Sequence, residues 1–315
     1  MSLVLLVHQS LPAPPPSSKR LAQGSSRRYL VVMEMLIIGH GYTASYLTPK
    51  LVSRGWNVTG TTRGSPDRVA SAGADPLIWP GEETRLRDAI ARADAILVSA
   101  APTSDGDPVL LALSADLGSA NPRWLGYLST TGVYGDRGGD WVDEDSRLDP
   151  STERGRARVR AERAWQDLAR AHDLPLHIFR LAGIYGPGRG PFAKIRKGTA
   201  RRIIKPGQVF SRIHVEDIAQ VLLASLASPD PGAIYNLCDD DPAPPQDIIA
   251  CAAELLGVQP PPEVSFDQAD MGAMARSFYA DSKRVRNDRI KRDLGIRLRY
   301  PDYRSALIAI LKAEA

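Results

Sequence analysis

The chain has 315 residues, of which 43% are hydrophobic and 24% charged, and its formal net charge is +4. That length holds one large α/β domain with an added lobe, or two modest domains. The charge excess is too small to imply nucleic acid, and no apolar run approaches the length of a membrane helix.

Residues 1–34 differ from the rest. Pro12, Pro14, Pro15 and Pro16 precede a Ser, Gly and basic stretch through Arg28, a composition that does not build a core. Leu3 to Val7 are apolar but lack the basic region of a secretory signal. Met33 and Met35 stand directly before a strand pattern, so either translation starts there or a disordered tail is made. Cys238 and Cys251 lie in apolar segments, and no Cys/His cluster has metal-ligand spacing. A reducing, cytoplasmic setting is expected.

From Met35 strands and helices alternate. Met35 to Gly39 reads as a strand, Thr43 to Arg54 as a helix with Leu47 and Leu51 inward, and Asn57 to Thr61 as a second strand. Strands follow at Asp75 to Trp79, Ala95 to Ser99, Trp124 to Ser129 and Leu176 to Leu181, and a long helix at Glu153 to Ala171. This order predicts an α/β fold: a Rossmann-type, doubly wound parallel sheet. Residues 35–181 form the dinucleotide-binding domain in this reading. Residues 182–315 are mostly a substrate-binding lobe, with late elements returning to the sheet. Ala182 to Ser211 reads as a loop-rich region, Val215 to Ala227 and Gln246 to Leu256 as helices, Ala233 to Cys238 as a strand, and Tyr303 to Ala313 as a closing helix.

Gly39-His40-Gly41-Tyr42-Thr43-Ala44 joins the first strand to its helix. Gly39 makes the tight turn, and Gly41 lets the backbone approach a pyrophosphate. The helix N-terminus, with Tyr42 and Thr43, then faces the phosphates. A third glycine is absent, with Ala44 or Ser45 near its place. The second strand ends in Thr61, Thr62 and Arg63, with no acid before Asp67. An acid there would receive ribose hydroxyls, whereas Arg63 suits a 2′-phosphate, so NADP is expected over NAD.

Four further segments carry a family resemblance. They are Leu128-Ser129-Thr130-Thr131-Gly132-Val133-Tyr134-Gly135, Phe179 to Pro187 with its Tyr185-Gly186-Pro187, Arg212-Ile213-His214-Val215-Glu216-Asp217-Ile218-Ala219, and Tyr235-Asn236-Leu237. With the glycine turn they make the chain resemble the extended short-chain dehydrogenases, the NAD-dependent epimerase/dehydratase group, over about Met35 to Ala309. The resemblance implies a Ser/Thr, a Tyr and a Lys in catalysis. Thr130 fits the first. Aligning Glu162 with the family's glutamate puts Arg158 at the lysine and Arg154 at the tyrosine, which marks an atypical member. Arginine does not donate a proton near neutrality. Arg158 can still hold the ribose hydroxyls, and Arg154 can bind an anionic group or stabilise charge on an oxygen.

Tyr134 is the alternative proton donor or a pocket-shaping residue. Ala100 and Ala101 leave room for the nicotinamide side. Tyr185, Arg189, Arg212 and His214 are candidate substrate contacts, and the basic stretch from Arg189 to Arg212 suits an anionic or nucleotide-sugar-like metabolite. The expectation is an NAD(P)-dependent oxidoreductase or epimerase-like enzyme on a small-molecule substrate. A non-catalytic dinucleotide sensor and an isomerase or dehydratase are the alternatives. Neither nucleic acid nor membrane is expected as a partner. Relatives often form a homodimer through two long helices.

Overall fold

A computed structural model describes residues 32–272, 276 and 278–314; residues 1–31 of the expected extension lie outside that range. The order of the early elements is β1 (Met33–Ile38), α1 (Tyr42–Val52), β2 (Trp56–Thr62), α2 (Pro66–Ser71), β3 (Asp75–Ile78), α3 (Glu83–Arg92), β4 (Ala95–Val98), α4 (Pro108–Ser119) and β5 (Trp124–Thr130). A short 3-10 helix (Thr131–Tyr134), β6 (Trp141–Val142), α5 (Glu153–His172) and β7 (Leu176–Leu181) follow. The first strand therefore begins two residues upstream of the expected Met35.

Within the loop-rich segment from Ala182 to Ser211 lie three short elements. They are β8 (Gly183–Tyr185), α6 (Phe192–Arg196) and β9 (Arg202–Ile204). Then come β10 (Arg212–His214), α7 (Val215–Ala227), β11 (Ile234–Leu237), α8 (Pro245–Leu255), β12 (Glu263–Ser265) and β13 (Arg284–Val285). Helices Asp288–Leu294 and Tyr303–Ala313 close the chain. β8, β9, β12 and β13 have two or three residues each and pair only with distant partners, β10 with β8, β12 with β9 and β13 with β6. Three residues are too few to show a period of two, so these ribbons left no pattern.

Seven strands form one parallel sheet in the order β11-β7-β5-β4-β1-β2-β3. That is the doubly wound order, and β11 is the late strand that returns to it. Side chains of β1 alternate between two cores. Met35 and Ile37 pack with Leu47, Leu51 and Ile218 on one face. Leu36 and Ile38 pack with Leu86, Leu113 and Trp165 on the other. A third cluster seats the closing helix, through Leu307 and Ile310, against Phe192, Ile248 and Tyr185. No helix among the described residues is long and apolar enough to cross a membrane.

Candidate active site

The strand order reverses between β1 and β4, and ligands of open α/β sheets bind at that point, beyond the carboxyl ends of the strands. The turn Gly39 to Gly41 lies there. Gly39 has φ +93°, and a Cβ on it would stand 2.8 Å from the Ala100 amide nitrogen. The turn thus rests directly on the end of β4, which only glycine allows. The Gly39 and His40 amides donate to Thr61 Oγ1 and to the Thr61 carbonyl, each at 2.8 Å.

Gly41 answers a different need. It is the N-cap of α1, no side chain caps that helix, and a Cβ there would find no atom nearer than the Gly39 carbonyl oxygen at 3.9 Å. Open space beside an uncapped helix N-terminus fits a dinucleotide pyrophosphate. His40 passed unremarked in the sequence as the middle of G-x-G. It is buried, its Nε2 lies 2.8 Å from Thr48 Oγ1, and burial holds its imidazole below the usual range. Gly60 makes room for it, since a Cβ there would sit 2.7 Å from His40 Cδ2.

Arg63 is exposed immediately beyond the end of β2. A second arginine joins it there, because Arg68 Nη2 donates to the His40 carbonyl at 3.3 Å. Ala100 is half-buried behind Gly39, whereas Ala101 is exposed.

A cleft of about 190 Å³ opens beside the turn, lined by Thr43, Ser99, Leu128, Ser129, Thr130, Arg158, Leu181, Ala182 and Ile184. It brings Thr43, Thr130 and Arg158 together. A larger hollow of about 540 Å³ lies in the lobe, between Arg196, Arg201 and Leu256, and holds no residue of the turn.

Thr130 ends β5, and its Oγ1 accepts from the Gly132 amide at 3.1 Å, which leaves the hydroxyl proton to donate. Arg158 reaches the cleft because α5 starts close by. A Cβ on Gly155 would stand 2.8 Å from the Gly132 carbonyl oxygen, so only glycine lets the helix approach the end of β5. Thr152 caps that start by accepting from the Gly155 amide at 3.1 Å. Arg158 Nη1 donates to the Leu128 carbonyl at 2.8 Å and to the Tyr127 hydroxyl at 3.0 Å. Arg154, one turn earlier on the same face, is exposed and has neither hydrogen bond nor ion pair among the described residues.

Other expected site residues lie apart from this cleft. Tyr134 is fully buried, donates to Asn236 Oδ1 at 2.7 Å and accepts from Arg180 Nη1 at 3.0 Å. Burial pushes its phenol up to about 12. A hydroxyl so committed and so weakly acidic is a structural tie, which corrects the catalytic part expected of Tyr134. His214 is also buried. Its Nδ1 accepts from the Glu216 amide at 3.2 Å at the start of α7, and its ring packs 4.1 Å from Tyr300. Burial and the nearby Arg299 pull it down to about 4, so it stays neutral. Tyr185 donates to Asp239 Oδ2 at 3.2 Å, and burial raises Asp239 to about 8. Arg212 Nη1 bonds the Phe210 and Ala243 carbonyls at 3.0 and 2.9 Å. These three residues brace the lobe and are not among the residues lining the cleft. Arg189 is exposed and stacks 4.9 Å from the Tyr42 ring centre, while the Tyr42 hydroxyl donates to the Pro187 carbonyl at 2.9 Å. That places Arg189 beside the dinucleotide turn.

Fold, turn and cleft together define a Rossmann-type dinucleotide protein of the short-chain dehydrogenase kind. The chain belongs to the NAD dependent epimerase/dehydratase family, whose sequence profile matches residues 35–238. It is 30% identical to Protein YeeZ of Escherichia coli over 288 residues, 85% of this chain and 97% of that protein. A solved structure of a functionally unknown conserved protein from Silicibacter pomeroyi is 58% identical over 90% of this chain and 99% of its own, with TM-score 0.85. UDP-glucuronic acid 4-epimerase of Bacillus cereus, solved with UDP-glucuronic acid and NAD, shares 16% identity over 90% of this chain and all of its own. Its TM-score of 0.75 is a likeness of fold.

Proposed function

We propose that the chain is an NAD(P)-dependent oxidoreductase acting on the carbonyl or alcohol of a small metabolite, with NADP preferred. The observation that carries this is the meeting of Thr130 and Arg158 in one cleft with Thr43 of the dinucleotide turn. When bound, a nicotinamide supplies the two-electron chemistry. Thr130 donates a hydrogen bond to the substrate oxygen. Arg158 holds a positive charge in the same cleft, beside the reacting group. Donors aimed at developing charge contribute about 10²–10³ in rate each. Arg158 is the one ionisable side chain among the lining residues, so water delivers the proton. Residues 35–181 serve as the cofactor domain and residues 182–315 mostly as the substrate lobe.

The test is fluorescence titration with NADPH and NADH, followed by turnover of a panel of carbonyl compounds. Thr130→Val should lower kcat about 100-fold and leave cofactor affinity unchanged. If neither dinucleotide binds, the reading fails. The same lining supports a second reading, a dinucleotide sensor, because it holds no carboxyl, imidazole or thiol. Intact cofactor binding with no turnover across the panel would favour it.

A further inference from the structure

Arg158 lines the cleft as a cation without a counter-ion among the described residues. Its Nη1 is occupied by the Leu128 carbonyl and the Tyr127 hydroxyl, while Nε and Nη2 have no hydrogen-bond partner among the described residues. No carboxylate among the described residues pairs with it either. Glu153, at the head of the same helix, is taken by Arg156 and Arg160, and Glu162 by Arg180.

The side chain is not free to search for an acid. Tyr127 is buried, with its ring centre 5.6 Å from that of Trp165. Trp165 Nε1 in turn donates to Asp107 Oδ2 at 3.1 Å. Arg158 is therefore held at one end by a packed chain of side chains, and its opposite edge is left over. The other polar side chains of the lining are hydroxyls. Thr43, Ser99 and Thr130 present them, and Ser129 donates its own to Glu162 Oε1 at 2.5 Å.

The cleft thus combines hydroxyl donors with one half-buried charge. A partly buried charge is costly until it is paired. Ribose hydroxyls would complete the hydrogen bonds of that edge without balancing its charge. A carboxylate does both, since the parallel N–H groups of the guanidinium match its two oxygens. We infer that Arg158 and Thr130 form an oxyanion subsite, and that the substrate is a small oxo or hydroxy acid whose carboxylate pairs with Arg158. This rests on the proposed dinucleotide-dependent oxidoreductase and names its substrate class.

The experiment is calorimetric titration of the protein saturated with NADP+, using pyruvate and its neutral isostere pyruvamide as probes. The oxidised cofactor leaves pyruvate unreduced, so binding is read without turnover. Wild type should bind pyruvate about tenfold or more tightly than pyruvamide. Arg158→Gln should abolish that preference and leave NADP+ affinity within about threefold. Arg158→Lys, which keeps the charge and loses the fork, should retain part of it. Equal binding of the two probes, or binding of neither, overturns the inference. So does an Arg158→Gln variant that loses NADP+ affinity instead, because Arg158 then belongs to the ribose. Failure of wild type to bind NADP+ is a separate result and removes the underlying oxidoreductase reading.

Discussion

Glu162 of α5 and Arg180 of β7 form an ion pair sealed inside the protein, Oε2 to Nη2 at 2.9 Å, with side chains 2% and 4% exposed. Ser129 donates to Glu162, and Arg180 also donates to the Tyr134 hydroxyl and to the Glu144 carbonyl at 3.2 Å. The pair thereby ties α5, β5 and β7 together directly behind the cleft. Removing one partner strands a buried charge. Glu162→Met or Arg180→Met should each cost about 3–5 kcal/mol, measured by denaturant unfolding. The double variant Glu162→Met/Arg180→Met should be more stable than either single one, and equal or lower stability would contradict this account.

The two glycines of the turn should respond differently. Gly39→Ala meets both the positive φ and the Ala100 backbone, so it should cost about 1–3 kcal/mol of stability as well as cofactor binding. Gly41→Ala places its methyl in open space. It should unfold like wild type and still weaken the dinucleotide, because the methyl occupies the path of the pyrophosphate. Matched unfolding and binding curves for the two variants check this contrast.

Arg63 should govern cofactor choice. Arg63→Ala is expected to weaken NADPH about tenfold or more and to leave NADH within about threefold, read by fluorescence titration. An equal loss for both dinucleotides would show that Arg63 does not recognise the 2′-phosphate. Arg68, held on the His40 carbonyl, is the neighbour that would account for any residual preference.

His214 predicts an acid limb of stability. Its imidazole is held at about 4, below the ordinary 6.5. A depressed base binds its proton less readily when folded, so the stability it contributes is full above 6.5. That contribution is lost as the pH falls from 6.5 toward 4. The size across this window is about 3 kcal/mol. His214→Asn keeps a cap for α7 and should flatten the slope in denaturant melts between pH 7 and pH 4, on the order of the same 3 kcal/mol. An unchanged slope would assign the acid limb to other groups.

Much of this protein was legible in the chain alone. Periodic apolar runs located the seven strands of the main sheet, and the spacing of Gly39 and Gly41 after an apolar strand marked the turn. The same helix register that put Arg158 at the lysine position showed that a tyrosine and a lysine were missing. These features are local, and local residues determine strand periodicity, turn geometry and helix phase. What only the tertiary structure decided is which polar groups meet. Tyr134 and His214 look like chemistry in the sequence, yet packing closes them into the core, where Asn236, Arg180 and Tyr300 use them structurally. Arg158 and Arg154 look alike in the sequence. The Gly155 contact with the end of β5 and the Tyr127–Trp165 stack give Arg158 its partners in the cleft, and Arg154 is left exposed. Burial and pairing across 30 or more residues decide such roles, and no local pattern encodes them.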